Sequence, residues 1–191
     1  MATENTSHIL SGHPLPGKPS PWVKDAIARY EPLGPEGLRV LDLAAGGGRH
    51  ARHLLDLGYA VLAVDRELAP LRYLDGRDGF EALAADLEDG SPWPFAAERF
   101  RAIVVTNYLH RPTLARLLGL LAPGGVLIYE TFGTGNEKYG KPSSPDFLAC
   151  PHEIAEAARA AGLDVLADEH REIDDPRPAV AHRCAARRPG A

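Results

Sequence analysis

Several things are scarce in this chain of 191 residues, and each scarcity excludes something. Cysteine occurs twice, at Cys150 and Cys184, far apart and without the short spacings of metal-binding cysteines. The pair reads as reduced thiols, not a disulfide, which points to the cytoplasm. No apolar run approaches the ~20 residues that span a bilayer, so no membrane association is expected. The first residues are polar, with no basic segment leading an apolar one, so no secretory signal is expected either. There is no basic excess: 21 Lys and Arg stand against 26 Asp and Glu, a formal net charge of -5. That argues against a chain-wide electrostatic grip on nucleic acid, although a local basic patch stays compatible with it. No internal repeat is present. What remains is ordinary for a globular protein, 45% hydrophobic and 25% charged, and long enough for one domain with a real core.

The chain is organised around the stretch from Leu38 to His50. A short apolar run (Val40, Leu41, Leu43) ends in three glycines, Gly46, Gly47 and Gly48. A helical stripe follows at Ala51, Leu54 and Leu55, with Gly58 where a carboxyl-terminal cap belongs. This is a strand, a tight turn and a helix, the opening of a nucleotide-binding βαβ unit. Glycines suit the turn because the backbone must bend sharply and lie close to a ligand. A second buried strand, residues 59–65, ends in Asp65, where a carboxylate can accept hydrogen bonds from both hydroxyls of a ribose. Gly46 to Ala51 also fits G-x-G-x-x-A, so a dinucleotide is compatible with the loop.

Around this unit the rest falls into order. Residues 1–20, rich in Pro, Gly, Ser and His, read as a flexible amino-terminal segment. Ser20-Pro21 opens a helix whose apolar face is Trp22, Val23, Ala26, Ile27 and Tyr30, broken by Pro32, Gly34, Pro35 and Gly37. Ala69 to Leu74 reads as a short helix and Phe80 to Ala84 as a third strand, followed by Asp86 and Leu87. Residues 101–106 are a fourth buried strand, running into Asn107-Tyr108-Leu109-His110-Arg111-Pro112. In open α/β sheets the crevice lies beyond the carboxyl ends of the strands, so polar residues here are site candidates. A helix is expected over Thr113 to Leu121, then a Pro123-Gly124-Gly125 turn, and a fifth strand over Val126 to Thr131. The long loop from Phe132 to Ala149 carries Asn136, Glu137, Lys138, Tyr139 and Lys141 and reads as either substrate-binding or a surface loop. A helix over Pro151 to Ala161 precedes two last strands, Leu163 to Glu169 and Ala179 to Ala186, the final one antiparallel. One domain over 21–186 and a tail over 187–191 are expected.

Asp42-x-Ala44-x-Gly46-x-Gly48 resembles the first motif of class I S-adenosylmethionine (SAM) methyltransferases, usually D-x-G-x-G-x-G, with Ala44 in place of the commoner glycine. The cationic sulfonium and ammonium of SAM suit carboxylates and carbonyls. A dinucleotide would instead place its pyrophosphate on the helix N-terminus. The Pro-Gly-Gly turn before the fifth strand is likewise typical of that family and not of dehydrogenases. The compact size and the Gly48-Arg49-His50 helix start are similar to the small tellurite-resistance type. The resemblance runs from about Trp22 to Ala186. It implies an α/β fold: a doubly wound, mostly parallel seven-stranded sheet with helices on both faces and the last strand antiparallel. It implies SAM as cofactor, held by Asp42, Ala44, Gly46, Gly48, Asp65 and Asn107, with Asp86 and the Leu87 N–H meeting the adenine and Arg49 meeting the carboxylate or staying solvated. A helix before the first strand often covers the cofactor pocket in this family, so Trp22 either helps to close it or is a core anchor.

The implied activity is methyl transfer to a small-molecule acceptor by a monomer or homodimer, with no nucleic acid as partner. Such a displacement depends on alignment, and a general base is optional. If there is one, His110 suits the task near neutral pH, unless it only bonds a backbone carbonyl, with Asn107 and Tyr108 orienting the acceptor and Tyr139 closing over it. His50 and His53 lie three apart on one helix without an obvious third ligand, so no metal is expected. Other readings stay open. An RNA or protein methyltransferase would gather Lys138, Lys141, Arg111 and Arg177 on one rim. An NAD-dependent oxidoreductase would want a Tyr-x-x-x-Lys pair, which is not recognisable. A SAM-binding module without catalysis is the last. The fourth strand lacks an N-P-P-Y-like ending, which disfavours amino methylation of adenine in DNA.

Overall fold

The computed structural model describes residues 9–10, 13–14, 17–31, 38–95, 99–175 and 177–190. Most of the expected amino-terminal segment therefore lies outside the described residues, as do the helix breakers Pro32, Gly34, Pro35 and Gly37, and Ala191. Residues 9–10 and 13–14 form a small antiparallel pair of their own.

Seven strands make one sheet: β1 (Val40–Leu43), β2 (Val61–Asp65), β3 (Phe80–Ala84), β4 (Phe100–Thr106), β5 (Leu121–Phe132), β6 (Asp164–Ile173) and β7 (Ala179–Arg187). Their order is β3-β2-β1-β4-β5-β7-β6. The first five are parallel, and β7 runs antiparallel to both β5 and β6. β1 is buried along its whole length, and Ala102 to Val105 of β4 are fully buried. That is why these strands read as unbroken apolar runs: both faces are covered. On one face α1 (Pro21–Tyr30), α2 (Arg49–Asp56) and the 3-10 turn Ala69–Leu74 pack Ile27, Leu54 and Leu71 against Val40, Val61 and Val104. On the other, α3 (Arg111–Leu118) and α4 (Glu153–Ala160) pack Leu114, Leu118 and Ile154 with Leu41, Ile103 and Tyr129. Among the described residues no helix is long and apolar enough to cross a membrane.

Of the boundaries that differ from expectation, three have a local reason, and β6 also runs past the expected Glu169 to Ile173. α3 starts at Arg111, with Pro112 in its first turn, where a missing N–H costs nothing. It stops at Leu118 because Leu120 already accepts from the Phe100 N–H and Leu121 pairs with Phe100. The Pro-Gly-Gly turn is then a bulge inside β5: pairing with β4 breaks after Leu121 and resumes at Val126 opposite Ala102. Gly125 is required there, since a Cβ would come 2.8 Å from the Phe100 carbonyl oxygen and 2.9 Å from that of Ala122. α4 begins only at Glu153, after His152 has taken a left-handed conformation at φ 65. The 187–191 segment is stitched down at its start. Arg187 ends β7, the Arg188 N–H donates to the Gly125 carbonyl at 2.9 Å, and the Arg187 guanidinium reaches the Tyr30 carbonyl at 2.6 Å.

His50 ties both layers of one face to the sheet. It is 1% exposed, accepts the Ser20 N–H at Nε2 (3.1 Å) and meets Thr106 Oγ1 at Nδ1 (3.3 Å). An acceptor at Nε2 fixes the neutral tautomer with the proton on Nδ1. Burial, aided by Arg49 and His53, pushes its pKa down to about 3.

Gly125→Ala is expected to cost about 1–3 kcal/mol through the backbone clash, read as a lower urea midpoint with unchanged m. An unchanged midpoint would contradict that clash. His50 has a folded pKa far below its unfolded one, so the unfolded chain binds more protons between about 3 and 6.5. Its contribution is complete above about 6.5 and is lost as pH falls toward 3, with a slope of at most about 1.4 kcal/mol per pH unit. Asp42, whose pKa is raised to about 7, works the opposite way over much of the same window. His50→Gln keeps an acceptor and does not titrate, so its stability should fall less steeply than the parent's between pH 6.5 and 4. Parallel pH profiles would contradict this account of His50.

Candidate functional site

The strand order reverses direction between β1 and β4, and a crevice opens beyond their carboxyl ends. Both strands leave the sheet through a left-handed residue that is not glycine: Ala44 at φ 53 after β1 and Asn107 at φ 55 after β4. Alanine in that conformation costs about 1–2 kcal/mol, whereas asparagine tolerates it. Gly46 follows at φ 54. Gly48, at φ 72, opens α2, and a Cβ on it would come 2.6 Å from Leu71 Cδ2. Its carbonyl accepts from the Tyr73 hydroxyl at 3.2 Å, so the 3-10 turn braces the glycine loop from behind.

Asp42, on β1, is 1% exposed. Its Oδ2 accepts the Ala51 N–H at 2.8 Å, while buried Oδ1 has no partner among the described residues. Burial pushes its pKa up to about 7, opposed by the Ala51 hydrogen bond and by Arg49. Asp65, at the end of β2, holds the glycine loop, accepting from the Gly46 N–H at 2.7 Å and the Glu67 N–H at 3.0 Å. Each carboxylate oxygen keeps a further lone pair for a ligand. Asp86 accepts the Glu88 N–H at 2.9 Å, the Asx turn of a loop acid. Ala44, Asp65, Asp86, Leu87 and Tyr108 line one cavity of about 280 Å3. This brings together acids that lie 21 residues apart in sequence.

The three residues expected to work on an acceptor are dispersed. Tyr108 belongs to the cavity of Asp65 and Asp86, and burial, then Glu88, pushes its hydroxyl well above the usual tyrosine range. His110 lines a second cavity of about 530 Å3, walled by residues 84–94 and the start of α3, and its Nδ1 meets Thr113 Oγ1 at 3.3 Å. Asn107 lines a third of about 680 Å3, together with Arg49. The segment is pinned: the Asn107 N–H donates to the Glu130 carbonyl (2.9 Å), and the Tyr129 hydroxyl donates to that of Tyr108 (2.7 Å).

The third cavity holds residues that the sequence did not mark. Glu130, near the end of β5, and Arg183 on β7 form a buried ion pair in its wall (Nε to Oε2 2.8 Å). The Arg183 guanidinium lies 5.5 Å over the Trp22 ring, whose indole nitrogen is buried without a partner among the described residues. Trp22 thus packs behind this wall. The long loop after β5 is built, not loose. Asn136, 2% exposed, donates to the Pro142 carbonyl and accepts the Val180 N–H. Lys138 and Tyr139 both bond Glu172, so neither lines a cavity described above. Both nitrogens of His50 are engaged and cannot ligate an ion.

Residues 40–125 match the family model of a methyltransferase domain. No curated protein matches the chain. Among solved structures, it resembles a chain of the complex between the Haloferax volcanii Trm112 methyltransferase activator and a methyltransferase, at 23% identity and a TM-score of 0.68, covering 88% of this chain and 89% of that one. The glycopeptide N-methyltransferase MtfA, complexed with S-adenosylhomocysteine (SAH), gives 19% identity and a TM-score of 0.60, covering 87% and 88%. The 1,6-didemethyltoxoflavin-N1-methyltransferase of Burkholderia thailandensis, with bound 1,6-didemethyltoxoflavin and SAH, gives 22% and 0.57, covering 80% and 71%. These neighbours share the fold, the methyltransferase-domain match spans β1 to the start of β5, and two of the neighbours hold SAH.

Proposed function

We propose that residues 21–186 act as a single SAM-dependent methyltransferase domain on a small-molecule acceptor. The observation that carries this reading is the division made at Asn107 and Tyr108. Two consecutive residues line two different cavities, one built for a nucleoside and one large enough for a second reactant. The residues fit the cofactor. Asp65 bonds the glycine loop at the Gly46 N–H, and Asp42, bonded to Ala51 just after that loop, keeps an orphaned buried oxygen.

When bound, SAM supplies an electrophilic methyl carbon on a positively charged sulfur. The chain's own groups do the rest. Asp65 accepts from the ribose hydroxyls. Asp86 accepts from the adenine amine, and the Leu87 N–H donates to the ring. Arg49 pairs with the carboxylate, and Asp42 balances positive charge. Asn107 lines the larger cavity and orients the acceptor, while Tyr108 lines the nucleoside side. His110, beside residues 84–94, is not at the acceptor cavity, so the reading assigns no base to it. Catalysis then rests on alignment.

The reading as a macromolecular methyltransferase finds less support. Of the four cations it would gather, Arg111 is spent on Glu153 (2.6 Å) and on two backbone carbonyls, and Lys138 on Glu172. Thermal melts with SAM, SAH, NAD and NADP added separately test the proposal. A ligand at 100 times its dissociation constant stabilises by about 2.7 kcal/mol. SAM and SAH should raise the melting temperature, the nicotinamide cofactors should not, and Asp65→Ala should remove the response. A shift with NAD alone would overturn the reading.

A further inference from the structure

The largest of the three cavities carries charge that the cofactor does not use. Of its five cationic side chains, Arg49 is assigned above to SAM and Arg183 is neutralised by Glu130. Lys18, Lys24 and Arg177 remain, and none has a carboxylate partner among the described residues. The surrounding chain is acidic overall, at -5, so a cluster of unpaired cations around one cavity runs against the background.

Arg177 is the organised member. Its guanidinium carbon lies 5.6 Å over the Phe132 ring, and one terminal nitrogen donates to the Lys141 carbonyl at 3.2 Å. These contacts hold the planar fork beside the cavity and leave its other N–H groups without a partner among the described residues. Asp25 and Asp175 line the same cavity, and neither forms an ion pair with Arg177 among the described residues. A preorganised guanidinium matches a carboxylate or phosphate, which it binds by two parallel hydrogen bonds. Next to it the wall is apolar: Phe132, Ile173, Ala179 and Ala181. Such a wall suits the body of a small acid and gives little to a polar sugar or a bare ion.

We infer that this cavity is the acceptor site and that it takes a small organic acid, whose carboxylate or phosphate is bound by Arg177 with Lys18 and Lys24 at the rim and whose apolar body lies against Phe132. The inference rests on the methyltransferase reading and adds the chemical class of acceptor. It also accounts for the Glu130–Arg183 pair. With Arg183 already neutralised, the charge of the acid is read at Arg177, at the cavity's edge.

The test uses the full chain saturated with SAH and four probes with one ring: benzoate, phenyl phosphate, benzamide and benzylamine. Dissociation constants come from the melting temperature as each probe is titrated. Benzoate or phenyl phosphate should bind, whichever is tighter naming the acid, while benzamide and benzylamine should bind at least about tenfold more weakly. Arg177→Gln should weaken the acidic probe about tenfold or more and leave the SAH-induced shift intact. Arg72→Gln, an exposed change on the 3-10 turn, should alter neither. Equal binding of benzamide, preference for benzylamine, an unaffected Arg177→Gln variant, or no binding of either acid to the SAH-loaded protein would each overturn the acid assignment while leaving the cofactor reading standing. Failure of SAH itself to shift the melt would remove both.

Discussion

The site depends on one topological constraint. β1 is paired on one side with β2 and on the other with β4, and the chain adds strands outward in both directions from that seam. The turns leaving β1 and β4 therefore diverge, and no backbone fills the space between them. Ala44 and Asn107 mark the divergence, both in a left-handed conformation that asparagine tolerates and alanine adopts at a cost. The sheet repays that cost through its two buried faces, and both residues stand where a ligand must approach the backbone.

Buried polar groups hold this seam in register. His50 joins the start of α1 to the end of β4, and Asp42 joins β1 to α2. Their pKa values are displaced in opposite directions, and burial is the first cause in both. A neutral His50 is the form that Ser20 and Thr106 require, so its perturbation is architectural. Asp42 is different: one of its oxygens bonds the Ala51 N–H and the other is unsatisfied among the described residues. An orphaned buried oxygen is costly unless a ligand or water completes it.

Much of this was legible in the sequence because the signals are local. Asp42 to Gly48, the acids after the second and third strands and the Pro-Gly-Gly turn are each contained within a few residues, and the seven strands and their direction follow. What was not legible is where neighbouring residues face. Asn107, Tyr108 and His110 look like one cluster in sequence, yet the chain bends at left-handed Asn107 and these three line three cavities. The loop residues Asn136, Lys138 and Tyr139 looked available for substrate, but partners 33 to 44 residues away engage them. Conversely, the pairing of Glu130 with Arg183 carried no local signal. Arg183 reaches the site only because β7 folds back antiparallel between β5 and β6.

The central claim is that the Asn107–Tyr108 step divides cofactor from acceptor. A crystal structure with SAH tests it most directly. The account predicts the adenosine between Asp65 and Asp86, the amino-acid end beside Arg49, and the sulfur facing the cavity of Asn107 and Glu130. A sulfur opening instead toward His110 and residues 84–94, or SAH bound away from the glycine loop, would contradict it.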